Sequence, residues 1–217
     1  MPGCAWSEVP GRAQSDAAHD LRHARLAAMS TAPDRLALHT CCAPCLIEPL
    51  RILSKRFGQV AVVYYNPNIT PAKEYERRRD TAAAYAEQTE VPFHELDDEP
   101  PMFEEEMDRH LLGLRLQGLR GDPETPQRCE RCYRLRFSRV ISWATDQGFT
   151  HFATTLTVSP YQQQEVIDRV ARELCADAGL VYAGCDFSDR YQEATRIARQ
   201  MGLYRQNYCG CTPRVNR

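Results

Sequence analysis

Three groups of cysteines carry the chemistry that can be read from this chain. Cys41, Cys42 and Cys45 form a CCxxC run, Cys129 and Cys132 a CxxC within RCERC, and Cys209 and Cys211 a CxC around Gly210. Thiolates are ligands for zinc and for iron–sulfur clusters, both of which accept four of them. The first run follows a short apolar stretch and opens a helical segment. A helix N-terminus lowers a thiol pKa and so favours the ligating form. Cys129 and Cys132 stand three apart at the start of a long helical segment, which puts both sulfurs on one face. Two such helix starts can converge on one four-thiolate site. Adjacent cysteines such as Cys41 and Cys42 are unusual in ribbon-type zinc sites, which tips the choice towards iron and sulfide.

The CxC pair poses a different chemistry. A disulfide between Cys209 and Cys211 closes a small, strained ring that is labile rather than stabilising, and Gly210 supplies the backbone freedom it needs. Lability suits a couple that accepts or relays two electrons; the alternative is that both are further metal ligands. Cys175 and Cys185 fall inside a helical and a strand-like segment and read as core, and Cys4 as incidental.

The elements that position these residues come from the apolar pattern. Residues 1–33 lack periodicity and read as a disordered extension, leaving 34–217 as one domain. Strands are expected at Leu36–Leu38, Val60–Tyr65, Val91–Leu96, Thr150–Leu156 and Val181–Phe187. The run VAVVYY is typical of a strand buried on both faces. Helices are expected over Leu46–Phe57 (with Pro44 and Pro49 near its first turn), Pro71–Gln88, Met102–Leu112, Gln127–Asp146, Pro160–Ala178 and Asp189–Leu203. This alternation predicts an α/β fold, a doubly wound parallel sheet with flanking helices. Polar residues then collect at one sheet edge with the first thiols: His39, then Asn66 and Asn68, then Thr155, Ser159 and Tyr161. Each also has a structural reading: Asn-Pro-Asn as a turn, Ser159 as a helix cap ahead of Pro160, and His39 as a core histidine.

Composition narrows the class. Ten cysteines in 217 residues are too sparse for a secreted disulfide scaffold. The first residues lack the apolar core of a secretion signal, so a reducing, cytoplasmic setting is expected. No stretch approaches the roughly 18 apolar residues of a membrane helix. Net charge is −2, yet Glu95–Asp108 holds eight acids without a Lys or Arg. Arg128–Arg139 holds five arginines against Glu130, and Ala194–Arg217 five more without an acid. Those basic stretches fit either a polyanionic partner or solvated helix faces. P-loop, GxGxxG and GxSxG signatures are absent.

HTCCAPC, YYNPNITPAKEYERR, RCERCYRLR, TTLTVSPYQ and LYRQNYCGC, in this order, closely resemble the QueH family of epoxyqueuosine reductases. The resemblance spans about Leu36 to Cys211. It implies a fold like the adenine-nucleotide alpha-hydrolase-like (HUP) group, although the SGGxDS nucleotide signature of that group is absent here. It implies reduction of epoxyqueuosine to queuosine at the tRNA wobble position, with an external electron donor. It further implies a [4Fe–4S] cluster on Cys41, Cys42, Cys129 and Cys132 and a redox-active pair, Cys209 and Cys211. A second, single metal ion (iron) would draw on Cys45, Cys209, Cys211 or Asp186. His39 and Tyr161 are candidate proton donors. Arg205 and the other C-terminal arginines would hold phosphates, and Tyr64, Tyr65 or Tyr208 would stack on bases. Two other readings compete: a zinc-stabilised RNA-binding module, and a thiol–disulfide oxidoreductase without a cluster.

Overall fold

The computed structural model describes residues 34–96, 100–118 and 126–211. The expected extension over 1–33, Cys4, Arg214 and Arg217 lie outside the described residues. Five strands, β1 (Arg35–Thr40), β2 (Gln59–Tyr64), β3 (Phe93–Glu95), β4 (His151–Thr154) and β5 (Val181–Tyr182), form one sheet in the order β3-β2-β1-β4-β5. Every pair is parallel. Six helices accompany them: α1 (Ala43–Leu53), α2 (Ala72–Gln88), α3 (Pro100–Leu116), α4 (Pro126–Asp146), α5 (Gln164–Ala178) and α6 (Tyr191–Gln200).

Residues 36 to 40 of β1 are each 0% exposed. A strand covered on both faces has no reason to alternate polar and apolar residues, hence the continuous run. Helix α1 packs on α2 and α6, α4 packs on α3 and α5, and both α1 and α4 touch β1. The doubly wound α/β architecture expected from the pattern is the one observed.

Local chemistry trims several expected elements. The fourth strand stops at Thr154, whose hydroxyl accepts the Leu156 N–H and turns the chain into a 3-10 helix, Thr155–Val158. Ser159 does not cap α5, which starts at Gln164; its hydroxyl accepts the Tyr161 N–H in a turn. The fifth strand ends at Tyr182, so Cys185 is buried in irregular chain. Pro44 lies in the first turn of α1, but Pro49 lies inside the helix. There it has no N–H to offer the Cys45 carbonyl one turn earlier.

The strand order places the site. From β1 the chain moves to β2 and β3 on one side, then returns to β4 on the other. The switch point therefore falls between β1 and β4, where open α/β sheets hold ligands beyond the strands' carboxyl ends. His39 is in register with Thr154, so Cys41 and Thr155 leave the sheet side by side.

Candidate metal and redox centre

The sulfurs of Cys41, Cys42 and Cys45 lie within 4.8 Å of one another, all buried. The β1–α1 junction does this: Cys42 is the extended residue before α1, and Cys45 sits in its first turn. Hydrogen bonds from Cys42 and Cys45 hold the Cys41 thiol well below its ordinary pKa. Burial pushes Cys42 up, and hydrogen bonding to Cys41 followed by burial pushes Cys45 up. Among the three thiols a negative charge is thus favoured on Cys41, beside a helix N-terminus that also favours it. The Cys41 N–H donates to Thr155 Oγ1 at 3.4 Å, and Gln206 Nε2 donates to Cys42 Sγ at 2.7 Å.

A second group forms where α4 meets the C-terminal tail. Hydrogen bonds from Cys132 and Cys209, with Arg128 beside them, pull Cys211 down to about 2. The same bonds, and then burial, push Cys132 and Cys209 up. Cys132 packs with Phe103 and Met107 of α3, while Cys129 is half-buried against the main core. Asn68 Nδ2 donates to Cys211 Sγ at 3.7 Å.

Arg136 links the two groups. One turn beyond Cys132 on α4, its charge acts on both Cys41 and Cys132. Its Nη2 donates to Asn66 Oδ1 at 2.5 Å, and Asn66 Nδ2 donates to the Thr40 carbonyl at 2.9 Å. Buried polar atoms around these thiols lack a partner, Asn68 Oδ1, Gln206 Oε1 and Arg136 Nε among them. Unsatisfied buried polar atoms are rare and point to an occupant that completes them. A donor set of soft thiols ringed by such atoms fits a thiolate-ligated metal group.

The tail that carries the CxC pair is fastened by Arg78, itself only 1% exposed. Its guanidinium donates to Glu74 Oε1 at 2.7 Å, to the Cys209 carbonyl at 3.2 Å and to the Tyr208 carbonyl at 3.1 Å. Gly210, at φ +118°, lies so close to the loop after β2 that a Cβ would come within 2.8 Å of Ile69 Cγ1. We expect Arg78→Ala to cost about 3 kcal/mol, because it leaves the partly buried Glu74 carboxylate with Tyr204 alone and takes the donor from two carbonyls. Chemical denaturation measures this, and a loss below about 0.5 kcal/mol would show that the clamp carries no weight. Lysine should recover only part of the loss, since it lacks the planar fork.

The remaining expected site residues divide. His39 is 0% exposed; its Nδ1 lies 2.8 Å from Thr154 Oγ1 and its Nε2 lies 3.3 Å from the Tyr65 carbonyl. A carbonyl only accepts, so Nε2 carries the proton and Nδ1 accepts from the threonine. Burial, with Arg136 nearby, lowers its pKa to about 3, so near neutrality it holds no extra proton to give. Asn66 and Thr155 are buried supports of the thiol loop, and only Asn68 keeps a free polar atom. Ser159 holds the turn before α5, and Tyr161 is 76% exposed, edge-on to Tyr191. Asp186 is exposed and accepts the Ser188 N–H in a turn. Tyr64 is wholly buried and has no ring face open to a base; Tyr65 is partly buried, and so is Tyr208, which donates to the Thr70 carbonyl and has the Arg78 guanidinium 4.9 Å over its ring.

The arginine stretches are less basic than their count. Arg131 pairs with Glu106, Arg134 with Glu130 and Glu173, and Arg196 with Glu193. Arg136 is committed to Asn66. Arg139, Arg199 and Arg205 are exposed and have no ion pair among the described residues. Gln206, Arg78 and Arg136 are site residues that the sequence reading missed. Arg136 had a signal, four residues beyond Cys132 on one helix face; Gln206 and Arg78 had none.

Fold and site together define a parallel α/β protein built around buried thiols at the switch point of its sheet. The family model for epoxyqueuosine reductase QueH matches residues 36–213. The chain belongs to this family of oxidoreductases. A protein of Acinetobacter baylyi called epoxyqueuosine reductase QueH is 32% identical over 183 residues, covering 82% of this chain and 79% of its own. The protein of that name from Thermotoga maritima is 31% identical over 179 residues, covering 80% and 86%. That from Dehalococcoides mccartyi is 29% identical over 177 residues, covering 82% and 90%.

Proposed function

We propose that this chain reduces epoxyqueuosine to queuosine at the wobble position of tRNA, as one catalytic domain over residues 34–217 acting in the cytoplasm. The observation that carries this is the buried Cys41–Cys42–Cys45 group at the switch point, tied to the α4 and tail cysteines through Arg136 and Gln206, in a chain of this family. No helix among the described residues is long and apolar enough to cross a membrane.

Removing the epoxide oxygen to leave an alkene takes two electrons and two protons, and the oxygen leaves as water. Cys209 and Cys211 hold that amount: closing the dithiol to a disulfide releases two electrons and two protons. An external thiol reductant then reopens the pair by exchange. Cys211 is the thiolate of the pair and Cys209 its proton-bearing partner, the order their opposite pKa shifts favour. Arg78 and Gly210 hold them against Asn68.

Cys41, Cys42, Cys129 and Cys132 would hold a [4Fe–4S] cluster, and Cys45 would be a ligand of a second, single iron. Bound there, the cluster would supply electrons singly and the iron would supply a Lewis acid for the departing oxygen. Arg136 sets the charge between both thiol groups, and Thr155 and Gln206 orient Cys41 and Cys42. The exposed Arg139, Arg199 and Arg205 are the open phosphate contacts for tRNA.

Anaerobically purified protein should contain iron and acid-labile sulfide and convert epoxyqueuosine tRNA when a reductant is added. Zinc alone, with no sulfide after reconstitution and no conversion, would leave an RNA-binding zinc module as the better reading.

A further inference from the structure

A cleft of about 470 Å³ lies between the loop after β2, the start of α2, and the facing helices α3 and α4, with Cys211 in its wall. That volume is of the size that takes a small ligand. Its apolar walls are Ile69, Tyr75 and Phe103; its polar ones include Asn68 and Glu76. Phe103 is 7% exposed and Asn68 4%, so its inner wall is built into the fold.

Two features of the walls ask for a particular ligand. Asn68 Nδ2 is spent on Cys211 Sγ, while its Oδ1 is buried without a partner. A donor on a ligand would complete it. The charges of the cleft do not cancel. Arg79 is paired with both Asp80 and Glu95, and Arg128 sits against the Cys211 sulfur. Glu76 has no ion pair or hydrogen bond among the described residues. The cleft therefore presents an exposed carboxylate without an ion pair at its rim and a buried acceptor without a partner inside, which suits a cation that also carries donors.

We propose that this cleft seats the aminomethyl arm of the substrate, with Glu76 as counter-ion to its secondary ammonium and Asn68 Oδ1 accepting from a hydroxyl of its five-membered ring. The arm then lies with its epoxide beside Cys211, and the flat 7-deazaguanine has Tyr75 and Phe103 as its walls. Placing the epoxide there rests on the proposed reductase reading; the preference of the cleft for a cation does not.

Two nucleobase probes separate these claims. 7-Aminomethyl-7-deazaguanine carries the ammonium, and 7-cyano-7-deazaguanine has the same ring without the charge. By calorimetry on the anaerobic holoenzyme, the aminomethyl compound should bind roughly fivefold tighter, the order of a partly exposed ion pair. Glu76→Gln should abolish that preference and Glu76→Asp should restore part of it. With epoxyqueuosine tRNA, Glu76→Gln should raise KM more than it lowers kcat. Equal affinity for the two probes, no binding of either, or a preference that survives Glu76→Gln overturns the proposal. A Glu76-dependent preference in a protein that never reduces epoxyqueuosine upholds the cation site and removes the reductase reading instead.

Discussion

Anaerobically purified Cys42→Ala and Cys132→Ala proteins should lose most of their iron and acid-labile sulfide. Turnover should fall on the order of a thousandfold or more, as when a catalytic unit loses one member. Each substitution removes a ligand from a different group, so the shared loss is the signature of a cluster that bridges them. Cys129→Ala should behave alike. Cys45→Ala should keep the sulfide and lose only the extra iron. If Cys45→Ala empties the cluster while Cys129→Ala leaves it intact, the compact group of Cys41, Cys42 and Cys45 is the seat of the cluster and the proposed ligand set is wrong. Cys175→Ala is the control: the side chain is 1% exposed in α5 and outside both thiol groups. It should cost about 1 kcal/mol of stability and no metal.

The second large effect is expected at the tail. Cys209→Ser and Cys211→Ser should each lower multiple turnover at least about a hundredfold, because neither can close the disulfide that returns electrons from an external thiol. Visible absorption should show the cluster still present in both. A chemical reductant able to feed the cluster directly should restore part of the activity. Unchanged turnover in Cys209→Ser would remove the pair from the reaction. Loss of the cluster in Cys211→Ser would recast that residue as a ligand, in line with its contact to Cys132.

Much of this arrangement was legible because it is local. Strands buried on both faces announce themselves as apolar runs, and the CCxxC and CxxC spacings fix sulfurs on a loop–helix junction and on a helix face. The parallel sheet then follows from alternation of strand and helix, and with it the carboxyl edge at which the polar residues gather. What stayed hidden depends on contacts between distant segments. Arg78 meets the Tyr208 and Cys209 carbonyls, and Gln206 meets Cys42, across separations that no periodicity records. Charge counts leave pairing out for a similar reason. Arg134 and Arg196 count as free cations in the sequence, but each lies against an acidic partner in the fold. His39 misleads in the opposite way: it stands at the right edge, yet both its nitrogens are consumed by the sheet.

The most direct test of the central claim is mass analysis of tRNA nucleosides from cells blocked at the last step of queuosine formation and supplied with this gene. Epoxyqueuosine should disappear and queuosine, one oxygen lighter, should replace it; with the Cys42→Ala gene the epoxide should persist. Epoxyqueuosine retained in cells that make the intact protein would contradict the account.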